Sequence, residues 1–481
     1  MSGVFGVASK ENCMNMLVYG TDYHSHLGTE YGGLAVLGEK FDRRIHNISQ
    51  TQFKSKFYED QKEMVGHKGV GVISDSNEQP MYLRSRFGEF CIVTVGLIEN
   101  QAELAEKLLK DGETFSEVAS KTVNATELVA KLINRGNSLV DGIEKMFDVI
   151  KGSCSLLLLH RDGVYVARDR WGYTPLAIAE KDGSWAASTE SSAFLNLGFK
   201  FVKHLLPGEI VLLTEKGMES ERRGNAHEQI CTFLWIYTGF PASNYDGVNV
   251  ELARERSGAM LAKRDKDIQI DQVAGVPDSG VAHAVGYAME SRKPFRRPLV
   301  KYTPGYGRSY TPPSQETRDL VANMKLQAIR EVIEGQRMVL CEDSIVRGTQ
   351  LKNFAISKLW SCGVKEIHVR PACPPLMFAC RFCLSTRTLK ELIARRAIKD
   401  IEGKEPADIS DYLDHRTPKY KKMVEWIAKD IGVTTLRYQT IEDMVKAIGL
   451  PREKLCLYCW NGECPGGKKA LKEPKKGAGK K

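Results

Sequence analysis

The segment RMVLCEDSIVRGTQLKNFAISKLW, residues 337–360, is where this chain concentrates residue types that can do chemistry. A short apolar run ends in two adjacent carboxylates, Glu342 and Asp343. A loop of small and hydroxylated residues, Ser344 to Thr349, then leads into a helical pattern. At the carboxyl end of a parallel strand, loop amides and a helix N-terminus suit a phosphate dianion. The carboxylates just upstream suit ribose hydroxyls or a hydrated Mg²⁺. Strand-acid-loop-helix is common by itself; the acid pair, Ser and Arg-Gly-Thr in this order are far more specific.

Sulfur offers a second chemistry. Twelve cysteines are spread unevenly, with eight between Cys341 and Cys464. Two CxxC pairs occur there, Cys380/Cys383 and Cys456/Cys459. Clustering in a long chain argues against a secreted disulfide framework and for a metal or cluster site, with buried inert thiols as the plain alternative. Two CxxC pairs read first as structural zinc, but their separation is much longer than in compact zinc modules. The start MSGVFGV supplies a third candidate. Removal of Met1 would leave Ser2 with a free α-amine, which can activate its own hydroxyl as a nucleophile. Many proteins begin Met-Ser, so other residues have to decide.

The elements that position these groups fall into two patterns. Up to about residue 225, β-like runs (GVFGV, GGLAVL, FCIVTVGLI, SLLLLH, GEIVLL) alternate with polar turns, and QAELAEKLLK and ATELVAKLI read as helices. This predicts an α+β domain rich in antiparallel sheet. After a linker around GMESERRGNAHEQ, strand-like QVAGVP, RMVLCED, EIHVRPA and TTLRY alternate with helical segments such as VNVELARERSGAMLAKR. That is the pattern of a parallel α/β sheet. The organisation expected is 1–225, 226–464 and a tail, 465–481.

Composition bounds the function. With 481 residues, 42% hydrophobic and 27% charged, the chain reads as an ordinary soluble protein of two or three domains. It has no apolar run near the roughly 20 residues of a membrane span and no secretory-type start, so a cytoplasmic location is expected. The net charge is +9, but the last sixteen residues hold seven Lys and one Glu. The body is therefore only weakly basic, without a nucleic-acid face, and the tail reads as a solvated, disordered extension.

VLCEDSIVRGT resembles the PRPP-binding motif of phosphoribosyltransferases, and most closely that of the amidophosphoribosyltransferases (glutamine–PRPP amidotransferases) of purine synthesis. GVPDSGVAHAVGYA resembles their pyrophosphate loop and helix. VKYTPGYGRSYTPPSQ resembles their flexible active-site loop, and CTFLWIYTGFPASNYDGVNVELARERSG their inter-domain segment. The resemblance covers nearly the whole chain apart from the tail. It implies an N-terminal αββα sandwich of the N-terminal-nucleophile hydrolase type, followed by a type I phosphoribosyltransferase domain.

It also implies roles. Ser344, Ile345, Val346, Arg347, Gly348 and Thr349 would cradle the 5′-phosphate. Glu342 and Asp343 would take the ribose hydroxyls and, with Ser279, share in binding Mg²⁺. Asp278, Ser279 and Gly280 would lie along the pyrophosphate, with Lys325 and Arg308 supplying positive charge to the leaving group. Ammonia would attack the anomeric carbon as pyrophosphate departs. Two departures are mild: Glu342 stands where the family usually has Asp, and the flexible loop is one residue longer around Pro304–Tyr306. Iron–sulfur members take four cysteines that match Cys231, Cys380, Cys456 and Cys459, which ranks a [4Fe–4S] cluster above zinc. Cys383 and Cys464 would be bystanders.

In the N-terminal half the resemblance implies losses. Ser2 replaces the nucleophilic Cys. Ser74 stands where an Arg grips the glutamine carboxylate, Val95 where an Asn completes the oxyanion hole, Ala125 where an Asp holds the amine, and Leu27 where HRGQ has Arg. Together these dismantle nucleophile, clamp and oxyanion hole. The function expected is therefore formation of phosphoribosylamine from PRPP and ammonia, free or supplied by a partner, with the glutaminase half inactive. A second reading is a non-catalytic regulatory paralogue that senses PRPP or nucleotides and pairs with an active homologue. A third keeps glutamine-dependent activity through substitute residues. Relatives form homo-oligomers, and the same is expected here.

Overall fold

The computed structural model describes residues 2–75, 77–116, 118–119, 122–225, 227–302, 326–382, 386 and 388–463. Arg308, Lys325, Cys383, Cys464, the Pro304–Tyr306 stretch and the Lys-rich tail lie outside them.

Among the described residues, the N-terminal half contains thirteen principal strands in two antiparallel sheets. β1 (Gly3–Ala8), β2 (Tyr31–Leu37), β3 (Phe41–Asn47) and β4 (Lys68–Ser74) are followed by β5 (Met81–Ser85) and β6 (Gly88–Ile98). Next come β7 (Gly152–Leu159), β8 (Val164–Ala167), β9 (Ala177–Lys181), β10 (Ser184–Ser188), β11 (Lys200–His204), β12 (Ile210–Thr214) and β13 (Gly217–Arg222). One sheet runs β11-β9-β10-β1-β4-β2-β3, the other β13-β12-β8-β7-β6-β5.

Strand periodicity explains the layering, because neighbouring side chains on a strand point to opposite faces. Val4 and Ala8 point into the core between the sheets, with Val93, Val95, Leu157 and Leu159. Phe5 and Val7 point outward beneath helix α1 (Met14–Asp22), against Leu17 and Val18. Leu156 and Leu158 point the other way, under α2 (Gln101–Lys110), α3 (Ala125–Ile133) and α4 (Leu139–Val149). The four leucines at 156–159 therefore run without a polar residue among them because both faces of the strand are buried there. The result is the expected four-layer αββα sandwich. The difference is at Gly217–Arg222, which read as linker and instead forms an edge strand paired with β12.

The second half centres on four parallel strands in the order β14 (Gln272–Gly275), β15 (Arg337–Glu342), β16 (Glu366–Pro371) and β17 (Thr435–Leu436). Helices α5 (Val250–Lys263), α6 (Val281–Ser291), α7 (Ile393–Glu402) and α8 (Pro418–Ile431) surround them. Asn249 caps α5 by accepting the Leu252 N–H, and Thr417 caps α8 by accepting that of Tyr420. The segment after β15 is not a plain α-helix: Leu351–Ile356 is π-helical before the α turns of Ser357–Ser361. No helix among the described residues is long and apolar enough to cross a membrane.

Candidate functional site

β14 and β15 run side by side, with Gly275 opposite Cys341, so the loops leaving their carboxyl ends emerge together. The Val276 N–H donates to the Cys341 carbonyl at 3.0 Å. A Cβ on Gly280 would lie 2.1 Å from that carbonyl oxygen, so only glycine lets the Pro277–Gly280 turn pass so close. The turn delivers Ser279 to Glu342: the serine hydroxyl donates to Oε1 at 2.5 Å, and the Asp343 N–H donates to the same oxygen at 2.9 Å. Ser344 donates its hydroxyl to the Asp343 carboxylate.

Glu342 and Asp343 are 8% and 7% exposed. Burial, then the neighbouring Asp343 charge, pushes the Glu342 carboxyl well above the usual range. Burial also raises Asp343, against the pull of Glu342, the Ser344 and Ser279 hydroxyls and Arg254. Two buried carboxylates at one strand end repel each other unless positive charge joins them, so this end of the site suits a cation.

The loop beyond is held from behind. Ile345 is buried in the transferase-half core, and the Ile393 N–H donates to the Val346 carbonyl at 2.7 Å. Gly348 adopts φ 77°, a left-handed conformation that suits glycine, and packs on Ile393. Arg347 and Thr349 are exposed, with Arg347 paired to Glu391 at 3.1 Å. Of the residues expected here, Asp278, Ser279, Gly280, Glu342, Asp343 and the 344–349 loop gather at one end of the sheet.

Sequence reasoning missed two cations at this end. Lys301, at the end of the Leu299–Lys301 strand, pairs with Asp278 at 3.2 Å. No spacing rule singles out that lysine; only the pairing of 299–301 with 326–328 carries it to the turn. Arg254, 5% exposed, donates to the carbonyls of Trp235, Tyr237 and Gly239 at 2.8–2.9 Å. Burial opposes its charge, while Asp343 and Glu190, one from each half, favour it.

The four expected cysteines also come together, although up to 228 positions separate them in sequence. A two-residue parallel bridge sets Cys231 opposite Cys456. The Thr232 hydroxyl donates to the Cys456 carbonyl at 2.8 Å. The Cys459 carbonyl accepts the N–H groups of Met377 and Phe378 at 2.8 and 3.1 Å, which ties the 377–380 segment to the C-terminal CxxC. The Cys459 thiol is pushed well above the usual thiol range by its hydrogen bond to Cys380, by burial and by the nearby Cys380, Cys456 and Cys231. All four are below 9% exposed, and Tyr173 stacks on Phe382 beside them. No group of three or more metal-type side chains among the described residues closes round a single ion.

The N-terminal strand end is different. Ser2 is half-buried, and its hydroxyl donates to Ser74 Oγ at a long 3.4 Å. Ser74, 1% exposed, also accepts the Asn77 N–H at 3.3 Å. Val95, 2% exposed, belongs to the core between the sheets, and Leu27 is 8% exposed. Ala125 opens α3, whose cap is the neighbouring Asn124, accepting from Thr126 and Glu127. His24, 3.1 Å from Ser188 Oγ, is pulled down to about 4 by burial. A polar joint the sequence did not announce lies nearby: Glu190, 1% exposed, takes His26 Nε2 at 3.0 Å and the hydroxyl of Ser243 from the second half. Burial alone would raise the Glu190 carboxyl, but His26 and Ser243 hold it below the usual range.

Comparison with known proteins agrees with this layout. Residues 68–196 match the family described as glutamine amidotransferase domain. The amidophosphoribosyltransferase of Methanocaldococcus jannaschii is 32% identical over 97% of this chain and 98% of its own. That of Bacillus subtilis is 32% identical over 96% and 94%. A solved structure, the B. subtilis glutamine phosphoribosylpyrophosphate amidotransferase complexed with ADP and GMP, superposes with a TM-score of 0.83 at 30% identity, covering 96% of this chain and 97% of that one. The chain belongs to the amidophosphoribosyltransferase family, with a glutamine-amidotransferase half followed by a phosphoribosyltransferase half.

Proposed function

We propose that the protein forms phosphoribosylamine from PRPP with ammonia as nitrogen donor, and that its glutaminase half is a retained fold without glutaminase chemistry. One contrast carries this reading. Glu342, Ser279, Asp343 and the glycine-dependent turn are assembled at one strand end. At the other, Val95 is absorbed into the core and Ser74 is a buried hydroxyl.

PRPP lies across the carboxyl ends of β14 and β15. The Ser344–Thr349 loop holds the 5′-phosphate through its amides. Asp278, Ser279 and Gly280 line the pyrophosphate, with Lys301 beside Asp278. Arg308 and Lys325 are assigned to the same leaving group. Glu342, Asp343 and Ser279 form the acidic end that would hold Mg²⁺, which neutralises charge developing on pyrophosphate when bound. Ammonia attacks the anomeric carbon, the bond to pyrophosphate breaks with its electron pair, and the surplus proton passes to solvent. Positioning and charge stabilisation supply most of the acceleration.

The four thiols of Cys231, Cys380, Cys456 and Cys459 fit a [4Fe–4S] cluster: all sulfur, and enclosed by aromatic and aliphatic side chains. Binding would release their protons and tie residue 231 to residues 456 and 459. Domain limits at 1–225 and 226–464, a homo-oligomer and a cytoplasmic location complete the proposal.

The test is pyrophosphate release from PRPP and Mg²⁺ by anaerobically purified protein, with ammonium or with glutamine. Turnover with ammonium alone is expected. Turnover with glutamine would overturn the inactive-half reading, and failure with both would favour the regulatory paralogue. The same preparation should be brown, with about four iron per chain; zinc without iron would overturn the cluster.

A further inference from the structure

The outer helical layer of the N-terminal half carries an open cleft of about 480 Å³, lined by Tyr19, Lys54, Ser55, Tyr58 and Gln61. Its walls are α1 and the short helices Phe53–Lys56 and Asp60–Glu63. They are held from within: the buried Phe53 and Phe57 rings stack at 4.4 Å, and the Gln61 amide donates to Asn15 at 2.8 Å. The two tyrosines are 46% and 57% exposed. A knob stands on the same layer. Leu195, in the helix Ser192–Asn196, is 81% exposed, while Ala193 and Phe194 beside it are buried. α1 joins knob to cleft. Tyr23, one helical turn beyond Tyr19, accepts the Asn196 amide at 2.5 Å.

The charges divide in the same way. Lys54 stands in the cleft and Asp22 stands beside Tyr23 at the knob, where it accepts the Ser25 hydroxyl at 3.1 Å. Neither has an ion pair among the described residues. A face with a knob and a hole, an acid and a base, is complementary to itself. Such self-complementarity is what a two-fold contact between identical chains demands, because residue i meets j while j meets i. Resting on the proposal that the chain is a homo-oligomer, we infer that this layer is its contact with a second copy: Leu195 of each chain enters the Tyr19–Tyr58 cleft of the other, and Asp22 of each meets Lys54. Half-exposed tyrosines inside a polar rim are what interfaces concentrate. Two such rings leave roughly 200 Å² of aromatic surface per copy. That is about a quarter of the ~800 Å² each partner of a stable dimer buries, and the polar helix surfaces around them supply the rest.

The experiment is sedimentation velocity over a concentration series, on the full-length protein and on L195E, K54D, D22K, D22K/K54D and L109E. Wild type should sediment as a dimer or a multiple of one. L195E drives a charge into an aromatic cleft and should raise the dissociation constant at least about a hundredfold. Leu109 is also exposed but belongs to the helices over the other sheet, so L109E should change nothing. K54D and D22K each set like charges opposite one another and should each weaken association about tenfold. D22K/K54D should return to within about threefold of wild type, a rescue that a folding defect would not show. An assembly that L195E leaves intact overturns the contact while the homo-oligomer reading stands, and so does a double variant no better than the singles. A wild type that is monomeric at every concentration overturns both.

Discussion

Two strand ends in this molecule differ in what they bury: one lies in the parallel sheet, the other in an antiparallel one. The end of β15 presents Glu342 and Asp343, each below 9% exposed and each engaged by a hydroxyl. In the N-terminal sheet, Ser2 and Ser74 sit at paired strand ends and share a single long contact. The first site holds groups that are costly to bury; the side chains buried at the second, Ser74 and Val95, are cheap to bury. A sandwich needs apolar inward faces, not the polar residues of a pocket. Val95 therefore joins the core at 2% exposure with no penalty to the fold. Burying Glu342 beside Asp343 has no such structural justification, because replacing such a pair with apolar groups is often neutral or stabilising. Its retention points to use.

The largest expected effect tests that asymmetry at the transferase end. Asp343→Asn should reduce ammonium-dependent pyrophosphate release by at least about a hundredfold. The same change removes like-charge repulsion in the ligand-free site, so its Tm should hold or rise. Lost activity together with lost stability would make Asp343 a structural residue and collapse the contrast.

The next effect tests the other end. Val95→Asn supplies the residue that the resemblance implies for an oxyanion hole, but in this core it strips apolar burial and leaves an amide short of partners. A loss of about 2–4 kcal/mol in urea unfolding is expected, with no glutaminase activity gained. A neutral substitution would mean that the site remains open, and the inactive-half reading would weaken.

Much of this architecture was legible because it depends on local period. The continuous SLLLLH run and the alternation in GVFGV follow from which faces each strand buries. CEDSIVRGT was legible because strand, acid pair and loop are consecutive. The losses expected at Ser74, Val95 and Ala125 rest on the family resemblance alone, since nothing in their spacing marks a missing group. What stayed hidden depends on contacts between distant segments: Lys301 beside Asp278, Arg254 between the halves, and the His26–Glu190–Ser243 joint, whose members lie up to 217 positions apart. Gly217–Arg222 was unreadable as a strand because its edge position leaves charged residues exposed.

Buried histidines give a smaller effect in which the two halves should agree. Burial holds His24 near 4 in the first half and His283 near 3 in the second, below the ordinary value near 6.5. Each folded value is depressed, so below pH 6.5 the unfolded chain binds a proton that the folded one refuses. Stability is full above about pH 6.5 and declines as pH falls toward 4. Each histidine contributes a slope of up to about 1.4 kcal/mol per pH unit. Replacing His24 or His283 with Asn should remove that share of the slope between pH 6.5 and 5, whatever it does to stability at pH 8. An unchanged slope would mean that the imidazole is solvated in the folded protein.

The smallest effect is predicted at Ser2. Restoring the thiol with Ser2→Cys supplies a better nucleophile, since a thiolate forms far more readily than an alkoxide near neutral pH. A nucleophile still needs a held substrate and a donor for the developing oxyanion, and on the proposed reading those positions are the buried Ser74 and the core residue Val95. With Met1 removed, the amine of residue 2 can take a proton but cannot place a glutamine. Ammonium-dependent turnover in Ser2→Cys should therefore stay within about twofold of wild type, and glutamine hydrolysis should stay at background. Hydrolysis above background would locate the deficiency in the nucleophile alone, and the reading of a dismantled pocket would fall.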